Sequence, residues 1–333
     1  ADAAQVEQRF GYSVTAINPA MRSVTDSSGR VEHYRKLILA LGSTPHIPAI
    51  DGLRLDGIFT FHNLRDAEQL IARRIRSRRT IVIGGGLLGL EAARGMQRSH
   101  TEVAIIDHAD RLLSRQLDHL GSSRLLEHIE SLGISVLLNS AVKSILGEHS
   151  VAAIELCNGH SIACDTVIIA TGTRPNIALA RAAGIRTARG IVVNDAMQTS
   201  SADIYAVGEC AEHHEKVYGL VAPGLEQAAV AVRDICAGAG EYHGSIASAS
   251  LKVLGENVFS IGPMAEPPPS PLVKTYSYTD ALHYRSIRLL GSRIIGAVAV
   301  GDWPQQQRVK EMVSSKARLM PWQLWRFNAS GRL

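Results

Sequence analysis

From Arg78 onward, short apolar runs alternate with segments whose apolar residues recur three and four positions apart. That alternation is the pattern of parallel strands joined by crossover helices. It predicts strands over 80–84, 102–106 and 134–138 and helices over 87–99 and 118–132. Upstream, Leu64, Ala67, Leu70 and Ile71 fall on one face of a helix predicted over 64–77. Residues 12–42 read as a β-meander: "YSVTAI", a turn at Ser27–Gly29, then "KLILALG", a buried strand ending at Gly42. The stretch "VAAIELCNGHSIACDTVIIATG" predicts a hairpin turning on Asn158-Gly159 as a type I′ turn, then another buried strand. "DIYAVG" is a further buried strand, and "GLEQAAVAVRDICAGAG" a helix with a glycine stop. After about residue 247 the pattern becomes antiparallel, with "SLKVLG", "VFSIG", "VKTYSYT", "YRSIRLLG" and "RIIGAVAVG" as short strands. Pro267–Pro271 reads as a stiff connector. The fold class is α/β, with a smaller α+β region over 247–333.

The 333 residues are enough for two or three domains. The net charge of +4 is small for this length and the Lys and Arg residues are spread, so the chain lacks the footprint of a nucleic-acid binder. No apolar run approaches the roughly 18 residues of a membrane span, so no membrane partner is expected. Cys157, Cys164, Cys210 and Cys236 form no CxxC pair. They read as reduced thiols of a cytoplasmic protein. Cys210, His213 and His214 lie close in "CAEHHEK". They read as a loop, and no metal site is expected. "GAGEYHG" (Gly238–Gly244) follows a helix rather than a strand and reads as a helix stop. The tail, with Trp322, Trp325 and Phe327 beside Arg326 and Arg332, reads as a terminal segment packing back on its own domain.

The candidate chemistry starts at "RRTIVIGGGLLGLEAARG". Gly84, Gly86 and Gly89 match G-x-G-x-x-G between a strand and a helix. The first glycine allows the tight turn, the second lets a pyrophosphate approach the backbone, and the third lets helix and strand pack closely. The pyrophosphate then meets N–H groups at the positive end of the helix. The next strand ends at Asp107, twenty-one positions beyond Gly86, where an acid grips the adenosine ribose hydroxyls. An anionic Asp107 repels a 2′-phosphate, which favours NADH over NADPH. Arg115 is the candidate to touch the cofactor phosphates.

Two further strand ends, "LILALGSTP" and "VIIATGTRP", are near copies, and "TSSADIYAVGECAE" places Glu209 directly after Gly208. Together with the glycine loop, this set resembles the pyridine nucleotide-disulfide oxidoreductase superfamily. "ALGSTP" and "ATGTRPN" are similar to its paired A-T-G motifs, and "TSSADIYAVGEC" to its second FAD motif. "ADRLLSRQLD", "GECAE" and "GLVAP" look most like the reductase portion of NAD(P)H nitrite reductase, with rubredoxin-reductase-like enzymes also near.

The resemblance implies two Rossmann-like domains, one for FAD (1–75 and 175–246) and one for NAD(H) (76–174), and an interface-like C-terminal domain. Electrons would pass from NADH through FAD to a redox protein or domain of rubredoxin, ferredoxin or nitrite-reductase type, with homodimer assembly left open. Catalysis would belong to the flavin rather than to a side chain. Gly86, Leu87 and Leu88 would supply backbone to the NAD pyrophosphate, and Glu91 would lie near the nicotinamide ribose. Ala170, Thr171 and Gly172 would line the nicotinamide side. Ala40, Leu41 and Gly42 would pass close to FAD, and Glu209 would hold the ribityl hydroxyls. Val221 and Ala222 would open a helix whose N–H groups face the flavin's pyrimidine end. The alternative is a non-catalytic NADH-binding subunit or sensor.

The sequence departs from the family pattern in three places. The family's first G-x-G-x-x-G has no counterpart here, and the chain opens in mid-pattern without Met. The resemblance thus implies a segment of about 70 residues missing upstream and an FAD site incomplete in the sequence as given. His62 stands where relatives often carry Arg, and Glu209 replaces the commoner Asp.

Overall fold

The computed structural model describes residues 6–97, 101–265 and 270–333. The end of the helix predicted to reach residue 99, and Pro267–Pro269 of the proposed connector, lie outside them. The chain forms two compact units, Ala1–Thr44 with Thr173–Ser245, and Pro45–Gly172 with Ile246–Leu333.

The larger unit is built on a five-stranded parallel sheet. Its strands lie in the order Ile58–Thr60, Thr166–Ile169, Arg79–Ile83, Glu102–Ile106, Ile134–Leu137. The inner strands are continuous β-branched runs because both faces are covered. One face meets the three antiparallel strands Val142–Gly147, Val151–Leu156 and Ser161–Ala163, which bury Ile81, Ile83 and Ile106 against Ile145, Ile154 and Leu156. The other face carries the helices Leu64–Arg74, Leu87–Met96 and His119–Ser131. Residue 118, expected inside the third helix, is its N-cap: Asp118 Oδ1 accepts from Gly121 N at 2.9 Å and Oδ2 accepts from Tyr284 Oη at 2.6 Å.

That tyrosine belongs to a second, antiparallel sheet, ordered Ser248–Val253, Glu256–Ile261, Arg293–Val300, Tyr284–Leu290, Val273–Thr279. Strand alternation sends Val258, Val298 and Val300 to one face, where they share a core with Leu113, Leu117, Leu125 and Ile129. Phe259, Ile261, Ala297 and Ala299 point to the other face, covered by the helices Gln306–Ser314 and Pro321–Ser330. In the C-terminal tail Phe327 is buried as expected, whereas Trp322 and Trp325 are exposed.

The smaller unit holds the meander Val14–Asn18, Ser23–Asp26, Val31–His33, and two parallel strand pairs, Leu37–Leu39 with Ile204–Ala206 and Ile191–Val193 with Ala211–His213. The helix Val221–Ala237 packs Val230 and Ala231 into their core. It stops at Gly238, whose φ of +63° only glycine takes at little cost.

The hairpin at Asn158-Gly159 forms with a different turn from the one expected. Only Gly159 is left-handed (φ +86°), and Leu156 N bonds to His160 O at 2.8 Å. The connection is therefore a three-residue loop with glycine at its bulge, not a two-residue type I′ turn, which needs two left-handed residues.

Leu125 is fully buried where the helix His119–Ser131 meets the antiparallel sheet. Leu125→Ala is expected to cost about 2–5 kcal/mol, read as a lower urea midpoint. A change within about 0.5 kcal/mol, the range of surface substitutions, would remove this residue from the core.

Candidate nucleotide-binding site

The three loop glycines prove to have different reasons to be glycine. A Cβ on Gly84 (φ +117°) would stand 2.4 Å from Ala170 O, and one on Gly89 would stand 1.9 Å from Gly84 O. Both are dictated by the protein's own backbone. A Cβ on Gly86 would meet no described atom within 4 Å. Its φ of −81° is open to any residue, and no side chain caps the helix it begins. The fold leaves space at Gly86 that a ligand's close approach would use, at an uncapped helix N-terminus suited to a phosphate.

Asp107 is brought to this loop. Its Oδ2 accepts from Gly85 N at 2.5 Å and its Oδ1 from Ala109 N at 2.8 Å. A carboxylate has about four acceptor sites, so capacity remains for ribose hydroxyls while the carboxylate holds the loop's shape. Leu113 N also donates to Gly85 O, at 3.0 Å. Arg111 is committed to structure: it pairs with Asp110 at 2.8 Å and donates to Ala265 O at 2.8 Å. Arg115 is exposed and pairs with no described residue. Leu87 is half-buried and Leu88 and Glu91 are exposed along the start of the same helix.

Ala170, Thr171 and Gly172 follow the strand Thr166–Ile169, which pairs with Arg79–Ile83. Ala170 N donates to Ile83 O at 2.9 Å, which sets it beside Gly84. His46 clamps the other two. Its N donates to Gly172 O at 2.8 Å, and its carbonyl accepts from Thr171 Oγ1 at 2.6 Å. Nothing in "STPHIP" marks that histidine in advance.

In the smaller unit, Ala40, Leu41 and Gly42 follow the strand Leu37–Leu39, and Asn176 holds them: its N donates to Gly42 O at 3.0 Å and its Nδ2 to Leu41 O at 2.9 Å. Glu209 Oε2 accepts from Ser43 Oγ at 2.8 Å, and Gly208 N donates to Gln227 Oε1 at 2.8 Å. Gln227 is 1% exposed. It stands three and four positions before the buried Val230 and Ala231, so a polar residue on an apolar helix stripe was its sequence signal. Gly224 has a Cβ position only 3.2 Å from Gly208 Cα, so the first turn of Val221–Ala237 lies against this strand end. No side chain caps that helix, and Val221 and Ala222 are exposed. The strand-end glycines Gly42, Gly172 and Gly208 share a positive φ (+64°, +97°, +76°) and open space over the Cβ position.

Among the described residues the four cysteines are free; Cys157 and Cys236 are exposed, Cys164 and Cys210 buried. Burial, then the nearby Asp165 charge, pushes Cys164 up to about 11, and burial also raises Cys210. No described helix is long and apolar enough to cross a membrane.

Residues 2–234 match the model of the pyridine nucleotide-disulphide oxidoreductase family, and residues 248–317 match the rubredoxin NAD+ reductase C-terminal domain. The chain belongs to the pyridine nucleotide-disulphide oxidoreductase family, whose members bind FAD and NAD(P)H. It is 39% identical over 306 residues to the nitrite reductase [NAD(P)H] of Bacillus subtilis (strain 168), covering 92% of this chain and 38% of that protein. It thus spans about two fifths of that relative's length. The solved NADH:rubredoxin oxidoreductase of Clostridium acetobutylicum is 30% identical with a TM-score of 0.72, over 92% of this chain and 76% of that one. A ferredoxin reductase from Rhodopseudomonas palustris superposes with a TM-score of 0.84 at 21% identity, over 94% and 78% of the two chains, and shows the fold alone.

Two outcomes follow from the glycine and thiol geometry. Gly89→Ala should destabilise the fold by about 1–3 kcal/mol through overpacking, whereas Gly86→Val should fold normally and lose affinity for NADH. Unchanged NADH affinity in folded Gly86→Val would take this loop out of the site. At pH 8, iodoacetamide should label Cys157 and Cys236 rapidly, and Cys164 and Cys210 only after unfolding, since a neutral buried thiol is a poor nucleophile; mass spectrometry of the digested protein reads the result.

Proposed function

We propose that the protein is an FAD-dependent NAD(P)H oxidoreductase that takes reducing equivalents from NADH and delivers them to a partner redox protein or domain of rubredoxin, ferredoxin or nitrite-reductase type. The observation that carries this reading is Gly86, a glycine with open space above it at an uncapped helix N-terminus, with the Asp107 carboxylate fixed beside the same loop.

On this reading the parallel sheet and glycine loop within residues 45–172 take up the nicotinamide nucleotide, 1–44 with 173–245 the flavin, and 247–333 faces the partner. Gly86, Leu87 and Leu88 offer backbone N–H groups to the pyrophosphate, Arg115 adds a positive charge, and Glu91 stands on the same helix for the nicotinamide ribose. Ala170, Thr171 and Gly172, fixed by His46, form the wall on the nicotinamide side. Glu209, oriented by Ser43, accepts ribityl hydroxyls. Ala40–Gly42 give bare backbone to the flavin, and the N–H groups at Val221 and Ala222 place positive potential where reduced flavin carries negative charge. Bound FAD supplies the conversion of a hydride into single electrons.

Asp107 also carries the proposed preference for NADH. Its oxygens accept ribose hydroxyls and disfavour a 2′-phosphate; of the neighbours that could offset this, Arg111 is held by Asp110 and Ala265 O, and His108 Nδ1 lies 3.2 Å from Asp107 Oδ1 itself. Arg115 is left to balance the shared pyrophosphate.

Full-length protein purified with its flavin should be yellow and should bleach on adding NADH without air. Colourless protein that binds NADH without turnover would support the sensor alternative. In steady-state kinetics kcat/KM should favour NADH over NADPH by about tenfold or more, equivalent to about 1.4 kcal/mol. Equal or better efficiency with NADPH would overturn the role given to Asp107.

A further inference from the structure

A second constellation lies in the smaller unit and uses none of the residues proposed to bind nucleotides. Asp195 Oδ1 stands 2.8 Å from His213 Nε2 and 2.9 Å from His214 Nε2. The three candidate ligand atoms all lie within 4.8 Å of one another. A tetrahedral zinc ion with bonds of about 2.0–2.2 Å needs ligand atoms roughly 3.3–3.5 Å apart. The two Asp–His distances fall about half an ångström short of that, so the carboxylate would draw back slightly to admit the ion.

Each ligand is held by its own local structure. Asp195 sits in a turn where Asn194 Oδ1 accepts from Ala196 N at 3.0 Å and from Gln198 N at 2.9 Å, and its carbonyl accepts from Tyr242 N at 2.7 Å. His213 ends the strand Ala211–His213, its side chain is 2% exposed, and its ring meets Tyr242 edge-on with centroids 5.0 Å apart. His214 is the informative one. His213 and Lys216 exchange both backbone hydrogen bonds, at 3.0 and 2.9 Å. This makes His214 and Glu215 the central pair of a two-residue hairpin.

Both are left-handed, with φ of +45° and +61°, as a type I′ turn demands, and that turn strongly prefers Asn-Gly. Non-glycine residues take this conformation at a cost and persist where something holds them. What the sequence gains is a second imidazole beside the first, on the same carboxylate oxygen. A hydrogen-bonded packing role does not require it. Asp195 alone satisfies the buried His213, and His214, 74% exposed, could bond to water. Two imidazoles and one carboxylate are a donor set for borderline divalent metals.

We infer that Asp195, His213 and His214 form a binding site for a divalent transition metal of the zinc type. Three protein ligands would leave a fourth position on the solvent side, where Asp195 and His214 are exposed. The bound ion would replace two hydrogen bonds to one oxygen by one metal–oxygen and two metal–nitrogen bonds, each ring then carrying its hydrogen on Nδ1. It would tie the Asn194–Gln198 turn to the strand that begins two residues after Glu209. This inference does not depend on the redox reading above.

The probe is Zn²⁺ itself, titrated into chelator-stripped protein against a chromophoric competitor. One Zn²⁺ per chain is expected, with affinity at least tenfold weaker in His214→Ala and in Asp195→Asn, and unchanged in His243→Ala, an exposed histidine outside the cluster. Because His214 is at the surface, His214→Ala should fold, and circular dichroism would verify it. Zn²⁺ should raise the Tm of the parent protein and not of His214→Ala, since a ligand that binds only the folded state stabilises it. No stoichiometric Zn²⁺ uptake, or equal affinity in folded His214→Ala, would overturn the site.

Discussion

The larger unit rests on one steric constraint, the approach of two backbones at Gly84 and Gly89. The helix Leu87–Met96 can lie on the strand Arg79–Ile83 only if position 89 carries no side chain, because a Cβ there would stand 1.9 Å from Gly84 O. Gly84 is pressed in turn against Ala170 O on the neighbouring strand. Three elements are thereby locked at the C-terminal edge of the sheet, the position where open α/β sheets bind their ligands. With helix and strands so placed, the helix end projects bare N–H groups past Gly86, and Asp107 reaches back to Gly85 N from the next strand.

Much of this was legible because the relevant signals are short-range. Buried parallel strands are continuous apolar runs, and the glycine spacing with Asp107 is a linear pattern. The structural use of Asp107 was not legible: no spacing rule says that the acid after the second strand also accepts two backbone N–H bonds. The contacts made by His46, and by Asn176 at the end of "ATGTRPN", were not legible for the same reason. Both residues act through their own backbone or through a contact with a distant carbonyl, and neither lies in a periodic pattern. At Asn158-Gly159 the dipeptide indicated a hairpin correctly, but loop length decided the turn, and loop length depends on strand register.

The histidine pair shows another limit of linear reading. "CAEHHEK" has no metal-ligand spacing, and the third group, Asp195, stands far upstream and reaches His213 through the pairing of Ile191–Val193 with Ala211–His213. Cys210, its nearest neighbour in composition, instead points inward, with Sγ against Leu39 O and Val207 O. A cluster of this kind is assembled by sheet topology, and so becomes visible only once the strands are paired.

The antiparallel C-terminal sheet, buried on both faces, bears on how such chains change over evolution. Val258, Val298, Val300 and Tyr284 complete a core whose other half includes Leu117, Leu125 and Ile129, beside the parallel sheet, and the Tyr284 hydroxyl completes the Asp118 cap. A module joined by a hydrophilic linker can be traded for another with little penalty. This one cannot be, because any replacement must arrive with a matching apolar face and a donor for Asp118. Lineages carrying this arrangement are therefore expected to diversify by appending further domains beyond it and by altering its outer helices, while the two sheets are inherited as a single piece.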